Sequence, residues 1–471
     1  MQEYTLIIHG WSDCSDSFVQ LKEFLIDQRI GNVDSILYAD FESREDSITF
    51  NDVIDGFNDA LKTRQLIDRD GKKLVNLNVI VHSTGGLVIR HWLWRYYGDR
   101  PQDCPVQRII MLAPANYGSP LAHRGKSFLG RLVRGRWRVG DLFEVGTRLL
   151  DGLELASPYQ WELAHRDVLV DQPVYRPDLI QLTILIGLED YAGIRGWVNK
   201  PGTDGAVVIA GTGVDTIKIV LDFTVREHVS SAPFDWQAIA PPKEFAFGVM
   251  KDVNHGTIVD ATWDAESPVS QFLVNALTTR NVSDFRAFQQ TLKVQTELAY
   301  DDNPKDSPYQ QFIVHGIDDQ GADVLDFTLE FALSRSETNP FLPKRLWSEE
   351  EQDLSQNVHR IIADEFHTCG QNASYRRFLV NINQLKSFLR QASDRLNSTI
   401  KISVEIFIPA IERGIRYDAK NLRNAILFDS AQENPNLPSF FYENTTTLIE
   451  LRVNRLNEYV HIDPLSKRQR R

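Results

Sequence analysis

The chain has 471 residues, 42% of them hydrophobic, which is ample for a buried core and more than one core usually organises, so two domains are expected. A formal net charge of −13 argues against nucleic acid as a main partner, and no apolar run reaches the length of a membrane span. Three cysteines, Cys14, Cys104 and Cys369, are too few and too scattered for a disulfide framework and fit a reducing compartment.

In chain order, residues 4–8 read as a short apolar strand that opens into His9-Gly10-Trp11. The strand starts with no charged and apolar leader before it, so cytoplasmic synthesis without a signal peptide is expected, with any export by a leaderless route. The loop after it suits an oxyanion turn, in which the amide of Trp11 faces the oxygen that becomes negative in acyl transfer. Cys14 nearby lacks a glycine-rich elbow and reads as a small buried side chain. A second apolar strand, 79–81, runs into His82-Ser83-Thr84-Gly85-Gly86 and then an apolar, Trp-rich helix. A serine between a buried strand and a helix is a nucleophile turn, and Gly85 and Gly86 let strand and helix approach closely. The amide of Thr84 is the second expected oxyanion donor. His9 and His82 are expected to make structural hydrogen bonds, and His91 lies on the helix.

After the motif Leu112-Ala113-Pro114-Ala115-Asn116-Tyr117-Gly118-Ser119-Pro120 comes a long insert, about 121–170. Its first part carries Arg124, Lys126, Arg131, Arg134, Arg136 and Arg138 without an acid, interleaved with Phe128, Leu129, Leu132, Val133 and Trp137. Helical spacing puts Phe128, Leu129, Leu132 and Val133 on one face. Such a segment either lies on an anionic lipid surface, each basic residue contributing about 1 kcal/mol, or packs its stripe on the core and solvates its arginines. A second insert helix is expected over 149–164.

Residues 179–186 read as another buried strand, followed by Gly202-Thr203-Asp204-Gly205-Ala206-Val207-Val208. A histidine that takes a serine proton needs a carboxylate on its other ring nitrogen, and Asp204 is the expected acid, with Asp190 and Asp215 as competitors. The last strand, 245–250, leads to Asp252-Val253-Asn254-His255-Gly256, where His255 is the expected general base. The order serine, acid, histidine is complete.

These motifs, His9-Gly10-Trp11, His82 to Gly86, Leu112 to Pro120, Asp204-Gly205-Ala206-Val207 and Asn254-His255, resemble those of the α/β-hydrolase superfamily of lipase and esterase type over roughly the first 265 residues. The resemblance implies a mostly parallel sheet flanked by helices with a lid insert above the nucleophile, an acyl-enzyme at Ser83, and hydrolysis of a lipid carboxylic ester. Val81 departs from it, standing where the usual GxSxG pattern has its first glycine. The catalytic domain is expected over 1–278.

The remainder, 279–471, reads as a β-rich, sandwich-like accessory domain with inserted helices. A hairpin is expected from 311–316 and 324–331 around the turn at Asp318-Asp319-Gln320-Gly321, with further strands at 378–382, 402–408, 425–428 and 446–453. A helix over 348–366 is opened by Ser348 with Glu351 three residues on. His315, His359, His367 and Cys369 do not have the spacing of a closed metal site. No metal or organic cofactor is implied.

The function expected is a serine ester hydrolase of lipase type, with phospholipids first among substrates, a peripheral membrane surface as its place of work, and a possible protein partner through the C-terminal domain. The alternatives are a soluble carboxylesterase, thioesterase or acyltransferase, an antibacterial lipase effector with an immunity partner, and a catalytically dead hydrolase scaffold.

Overall fold

The computed structural model describes residues 2–8, 18–36, 48–122, 147–191, 200–224, 236–260, 263–301, 307–339, 343–409, 411–412, 414–418, 422, 425–431 and 440–456. Trp11 and its loop, Cys14, and the basic segment with Phe128, Leu129, Arg131, Leu132, Arg134 and Trp137 lie outside them.

The first sheet has six strands, all parallel: β1 (Glu3–Ile8), β2 (Asn32–Ile36), β3 (Asn76–His82), β4 (Val106–Leu112), β5 (Gln181–Gly187) and β8 (Ala246–Met250), in the order β2-β1-β3-β4-β5-β8. The central strands are near-continuous apolar runs because both faces are covered, β5 being buried at every residue and β3 from Leu77 onward, while the edge strand β2 is polar and only partly covered. Helices Phe50–Thr63 and Gly85–Tyr97 pack against one another, and Phe57 and Trp92 meet edge to face between them, 5.1 Å between ring centroids. The chain leaves β1 toward β2 and returns to place β3 on the other side, so the strand order reverses between β1 and β3. Parallel sheets open a crevice above the carboxyl ends of the strands at such a point.

Two further strands, β6 (Ile217–Asp222) and β7 (Gln237–Ile239), occur between β5 and β8 in sequence but belong to a second sheet. That sheet also takes β9 (Tyr309–Asp318), β11 (Glu365–Thr368), β12 (Tyr375–Asn381) and β17 (Thr446–Val453), in the order β11-β12-β9-β17-β6-β7. A three-stranded antiparallel sheet of β10 (Thr328–Arg335), β13 (Ile400–Phe407) and β16 (Ala425–Asp429) faces it across a shared apolar core. The C-terminal part is thus sandwich-like and β-rich as expected, with a short two-stranded ribbon of β14 (Ile411–Glu412) and β15 (Ile415–Arg416) and helices Glu349–Ala363 and Ile382–Leu396. Strand alternation divides β9 between two cores: Phe312 and Val314 enter the sandwich, while Ile313 enters the core around the parallel sheet with Tyr375 and Leu448.

Several expectations need correction. The boundary at 278/279 does not separate the sheets, since β6 and β7 lie before it. Helix Val282–Asp301, just after it, packs Phe285, Phe288 and Leu292 into the core around the parallel sheet. The hairpin at 311–331 closes its turn, with the Gly321 amide donating to the Asp318 carbonyl at 2.9 Å, yet β9 and β10 do not pair. Val324 and Phe327 turn fully inward and carry the chain across to the other sheet. The single insert helix over 149–164 is two, Thr147–Leu153 and Pro158–Asp167. Ala156 has φ 61°, Ser157 caps the second helix through the Gln160 amide, and Pro158 has no N–H to continue the first. The helix opened by Ser348 has its capping box but ends at Ala363, after which Glu365–Thr368 is strand.

No described helix is long and apolar enough to cross a membrane.

Candidate active site

β3 delivers Ser83 to the carboxyl edge of the first sheet with φ 54°, a left-handed conformation that an L-residue rarely adopts. The surroundings hold it there. The Ser83 amide donates to the Leu112 carbonyl at 3.1 Å, and its own carbonyl accepts from Gly86 at 3.1 Å and Ala115 at 3.0 Å. A Cβ on Gly86 would stand 2.7 Å from Pro114 Cβ and 2.8 Å from Asn116 Oδ1. A Cβ on Gly85 would stand 3.0 Å from Val81 Cβ. Val81 is therefore accommodated because its side chain packs where Gly85 has none.

β8 leads into the His255 turn, in which Asn254 Oδ1 accepts from the Gly256 and Thr257 amides at 3.0 Å each. The turn crosses the end of β5 so closely that a Cβ on Gly187 would stand 2.1 Å from the Val253 carbonyl oxygen. Between β5 and β6 the chain forms the loop that carries Asp204. Asp204, fully buried, accepts at Oδ1 from the Ala206 amide at 3.0 Å and the Val207 amide at 2.8 Å.

Three remote segments thus meet. Ser83 Oγ lies 3.2 Å from His255 Nε2, and His255 Nδ1 lies 2.9 Å from Asp204 Oδ2. The His255 amide also donates to the Asp204 carbonyl at 3.0 Å. His255 is 2% exposed while Ser83 is only half-buried, so the hydroxyl is the accessible end of the chain of contacts. Such an arrangement can pass a proton from hydroxyl to imidazole with the carboxylate fixing the tautomer. Thr84 directly precedes helix Gly85–Tyr97, where an amide can face developing negative charge.

The competing acids stand elsewhere. Asp190 is exposed. Asp215 is half-buried, and desolvation of its carboxyl raises it to about 6 against the hydrogen bond it accepts from Thr445 Oγ1 at 2.8 Å. Among the described residues no group of three His, Cys, Asp or Glu is arranged to hold a metal ion.

The 112–120 motif has a task that its residue types alone do not announce. It binds the Ser83 turn to the Asp204 loop: Ala115 reaches Ser83, the Asn116 amide group donates to the Thr212 carbonyl at 2.7 Å, and Ser119 Oγ donates to the Ala206 carbonyl at 2.5 Å. Arg90 was also missed. It is fully buried on helix Gly85–Tyr97, bidentate to Asp167 at 2.7 and 3.0 Å, and its third nitrogen donates to the Asn116 carbonyl at 3.1 Å. A lone arginine inside the apolar run Leu87-Val88-Ile89-Arg90 was the available signal. The C-terminal sheet supports the acid loop as well, for Thr446 Oγ1 donates to the Ala210 carbonyl at 2.8 Å.

A separate cavity of about 550 Å³ opens among helices Phe50–Thr63, Gly85–Tyr97, Thr147–Leu153 and Pro158–Asp167, and no triad residue lines it. Two of its arginines are engaged, Arg95 with Asp55 at 3.0 Å and Arg166 with Glu162 at 3.5 Å.

No family model matches the chain, and no curated protein does. Among solved structures, phospholipase PlaB from Legionella pneumophila is similar at 20% identity with a TM-score of 0.74, over 98% of this chain and 97% of that one. The same phospholipase in complex with thio-NAD gives 20% identity and a TM-score of 0.77 over 99% and 97%. At that identity the likeness is one of fold, and it spans the α/β-hydrolase part and the β-rich part together.

Proposed function

We propose that the chain is a serine ester hydrolase of lipase type whose substrate is a phospholipid. The observation that carries this reading is the contact chain from Ser83 Oγ through His255 to the buried Asp204, at 3.2 and 2.9 Å, with Ser83 on a strained turn at the mouth of the parallel sheet. In the proposed reaction Ser83 Oγ attacks the acyl carbon as its proton passes to His255 Nε2. The tetrahedral oxyanion is met by the Thr84 amide and by that of Trp11, which lies outside the described residues. Collapse expels the alcohol, which takes the proton from His255, and leaves an acyl group on Ser83. Water, deprotonated by His255, then releases the carboxylic acid and restores the serine.

The preference for phospholipid rests on two supports: the basic, amphipathic composition of 124–138, and the match over the whole chain length to the fold of a protein described as a phospholipase. The test is hydrolysis of short and long nitrophenyl esters and of labelled phosphatidylglycerol and phosphatidylethanolamine by wild type and Ser83→Ala. The reading requires turnover by the wild type that is lost with the serine, and a preference for the phospholipids. Activity confined to short esters makes the chain a soluble carboxylesterase, and no activity on any ester makes it a scaffold.

A further inference from the structure

We infer that His82 is a positioning residue for the general base, an inference that rests on the triad reading above. His82 is the last residue of β3 and 1% exposed, so its ring is committed to the interior rather than to substrate. Its Nε2 lies 3.2 Å from the backbone carbonyl oxygen of His255. A carbonyl only accepts, so Nε2 carries the hydrogen and donates. The two imidazoles stand 4.8 Å apart and tilted by 41°, with Phe18 against His82 at 6.3 Å.

The His255 residue is thereby held at both ends of its backbone: its N–H donates to the Asp204 carbonyl at 3.0 Å, and its C=O accepts from His82. One grip comes from the acid's own loop and the other from the residue next to the nucleophile. Because His82 and Ser83 are consecutive, the strand end that presents the hydroxyl also carries the clamp for its base. The distance that matters is short of slack, since Ser83 Oγ to His255 Nε2 is 3.2 Å, near the outer edge of a useful hydrogen bond. A base loop loosened by a fraction of an ångström would break that contact without disturbing the ester-binding surface.

The experiment measures kcat and KM on a soluble short nitrophenyl ester for wild type, His82→Phe, His82→Gln and Ser83→Ala, with thermal unfolding of each and the proton spectrum of the downfield imidazole hydrogen shared by His255 and Asp204. Phenylalanine keeps the ring and removes the donor; glutamine restores a donor near the Nε2 position. The expected result is a fall in kcat of about 10- to 100-fold for His82→Phe with KM within about twofold, and broadening of the downfield resonance. His82→Gln is expected to recover kcat to within about threefold of wild type and to sharpen the resonance again. The inference is overturned if folded His82→Phe keeps the wild-type kcat, or if His82→Gln is as slow as His82→Phe although it unfolds at the wild-type temperature. If His82→Phe does not fold, His82→Leu, which also removes the donor, takes its place under the same kcat and resonance criteria. Activity that survives Ser83→Ala sinks the triad reading itself, whereas a dead Ser83→Ala beside a normal His82→Phe sinks only the role of His82.

Discussion

Asp204 illustrates how much a single atom decides. Its Oδ1 is occupied by the Ala206 and Val207 amides and its Oδ2 faces His255 Nδ1, so each oxygen has its own donor. In Asp204→Asn the one remaining oxygen stays with the two amides, and the new NH2 points at Nδ1, which must then give up its hydrogen. The imidazole shifts to the Nε2–H tautomer and can no longer take the serine proton. We predict a fall in kcat of about 10³- to 10⁴-fold on a short ester with little change in KM or unfolding temperature; retention of kcat would show that Asp204 does not orient the base. Gly86→Ala tests the neighbouring turn. The added methyl would meet Pro114, which is rigid, and Asn116, which is anchored to Thr212, so neither gives way cheaply. A loss of about 1–3 kcal/mol in stability is expected by chemical denaturation, with a larger proportional loss of activity because the clash sits beside Ser83.

At the level of elements, the acid loop is strung between two sheets, entering from β5 of the first and leaving into β6 of the second. Thr446, on β17, donates to the Ala210 carbonyl in this loop at 2.8 Å and accepts from Gln311 at 3.3 Å. Thr446→Val keeps the shape and deletes the hydroxyl, leaving the buried carbonyl without that donor. A loss of about 1–3 kcal/mol is predicted from denaturant unfolding, together with a fall in kcat; Thr446→Ser should restore both. A kcat unaffected by Thr446→Val would mean that the C-terminal sheet does not support the acid. Such pairings explain what could be read in advance and what could not. The triad turns are local, since a strand, a serine and two glycines lie within a few residues, and β3, β5, β8, β12, β13, β16 and β17 all announced themselves as apolar runs. Nothing in the run 217–222 says that its neighbour will be β17, more than 200 residues on, because sheet order is fixed by packing that no short window contains. Helix Val282–Asp301 is legible in the spacing of Phe285, Phe288 and Leu292, and it runs where the composition change alone suggests a domain boundary.

Across the whole molecule, the parallel-sheet and β-rich parts are joined by contacts that carry titratable groups. Helix Pro158–Asp167 sets Trp161 against His315 at 5.2 Å, while His165 donates to the Trp161 carbonyl at 2.7 Å. Lys218, Glu450 and Asp323 also face this layer, Lys218 paired with Glu450 at 2.6 Å and Asp323 with His315 at 2.8 Å. Burial lowers both histidines, and burial with Arg95 and Arg166 lowers His91 to about 4. One turn away Glu154 reaches across to the other part, accepting from the Gly370 amide at 2.7 Å and from His367 at 3.2 Å; burial pushes its carboxyl up, but these hydrogen bonds outweigh it and hold it at about 2. The signs differ in their windows. A histidine lowered in the fold contributes stability that is present above its unfolded value of about 6.5 and is lost as pH falls through the folded value. Glu154, also lowered, contributes stability that is present above about 4.5 and is lost only as pH falls toward 2. Asp215, raised to about 6, works the other way and favours the fold as pH falls through that value, but the three lowered imidazoles outnumber it, so the unfolding temperature of the wild type is predicted to fall between pH 6.5 and 4.5, before the Glu154 contacts are touched. His91→Gln should flatten part of that slope, and Glu154→Gln should lower the unfolding temperature at pH 7 while leaving the slope above pH 4.5 unchanged. Calorimetry in buffers from pH 7 to 4 decides the matter, since an unfolding temperature that stays level over that range would mean that these imidazoles charge in place without cost to the joined structure.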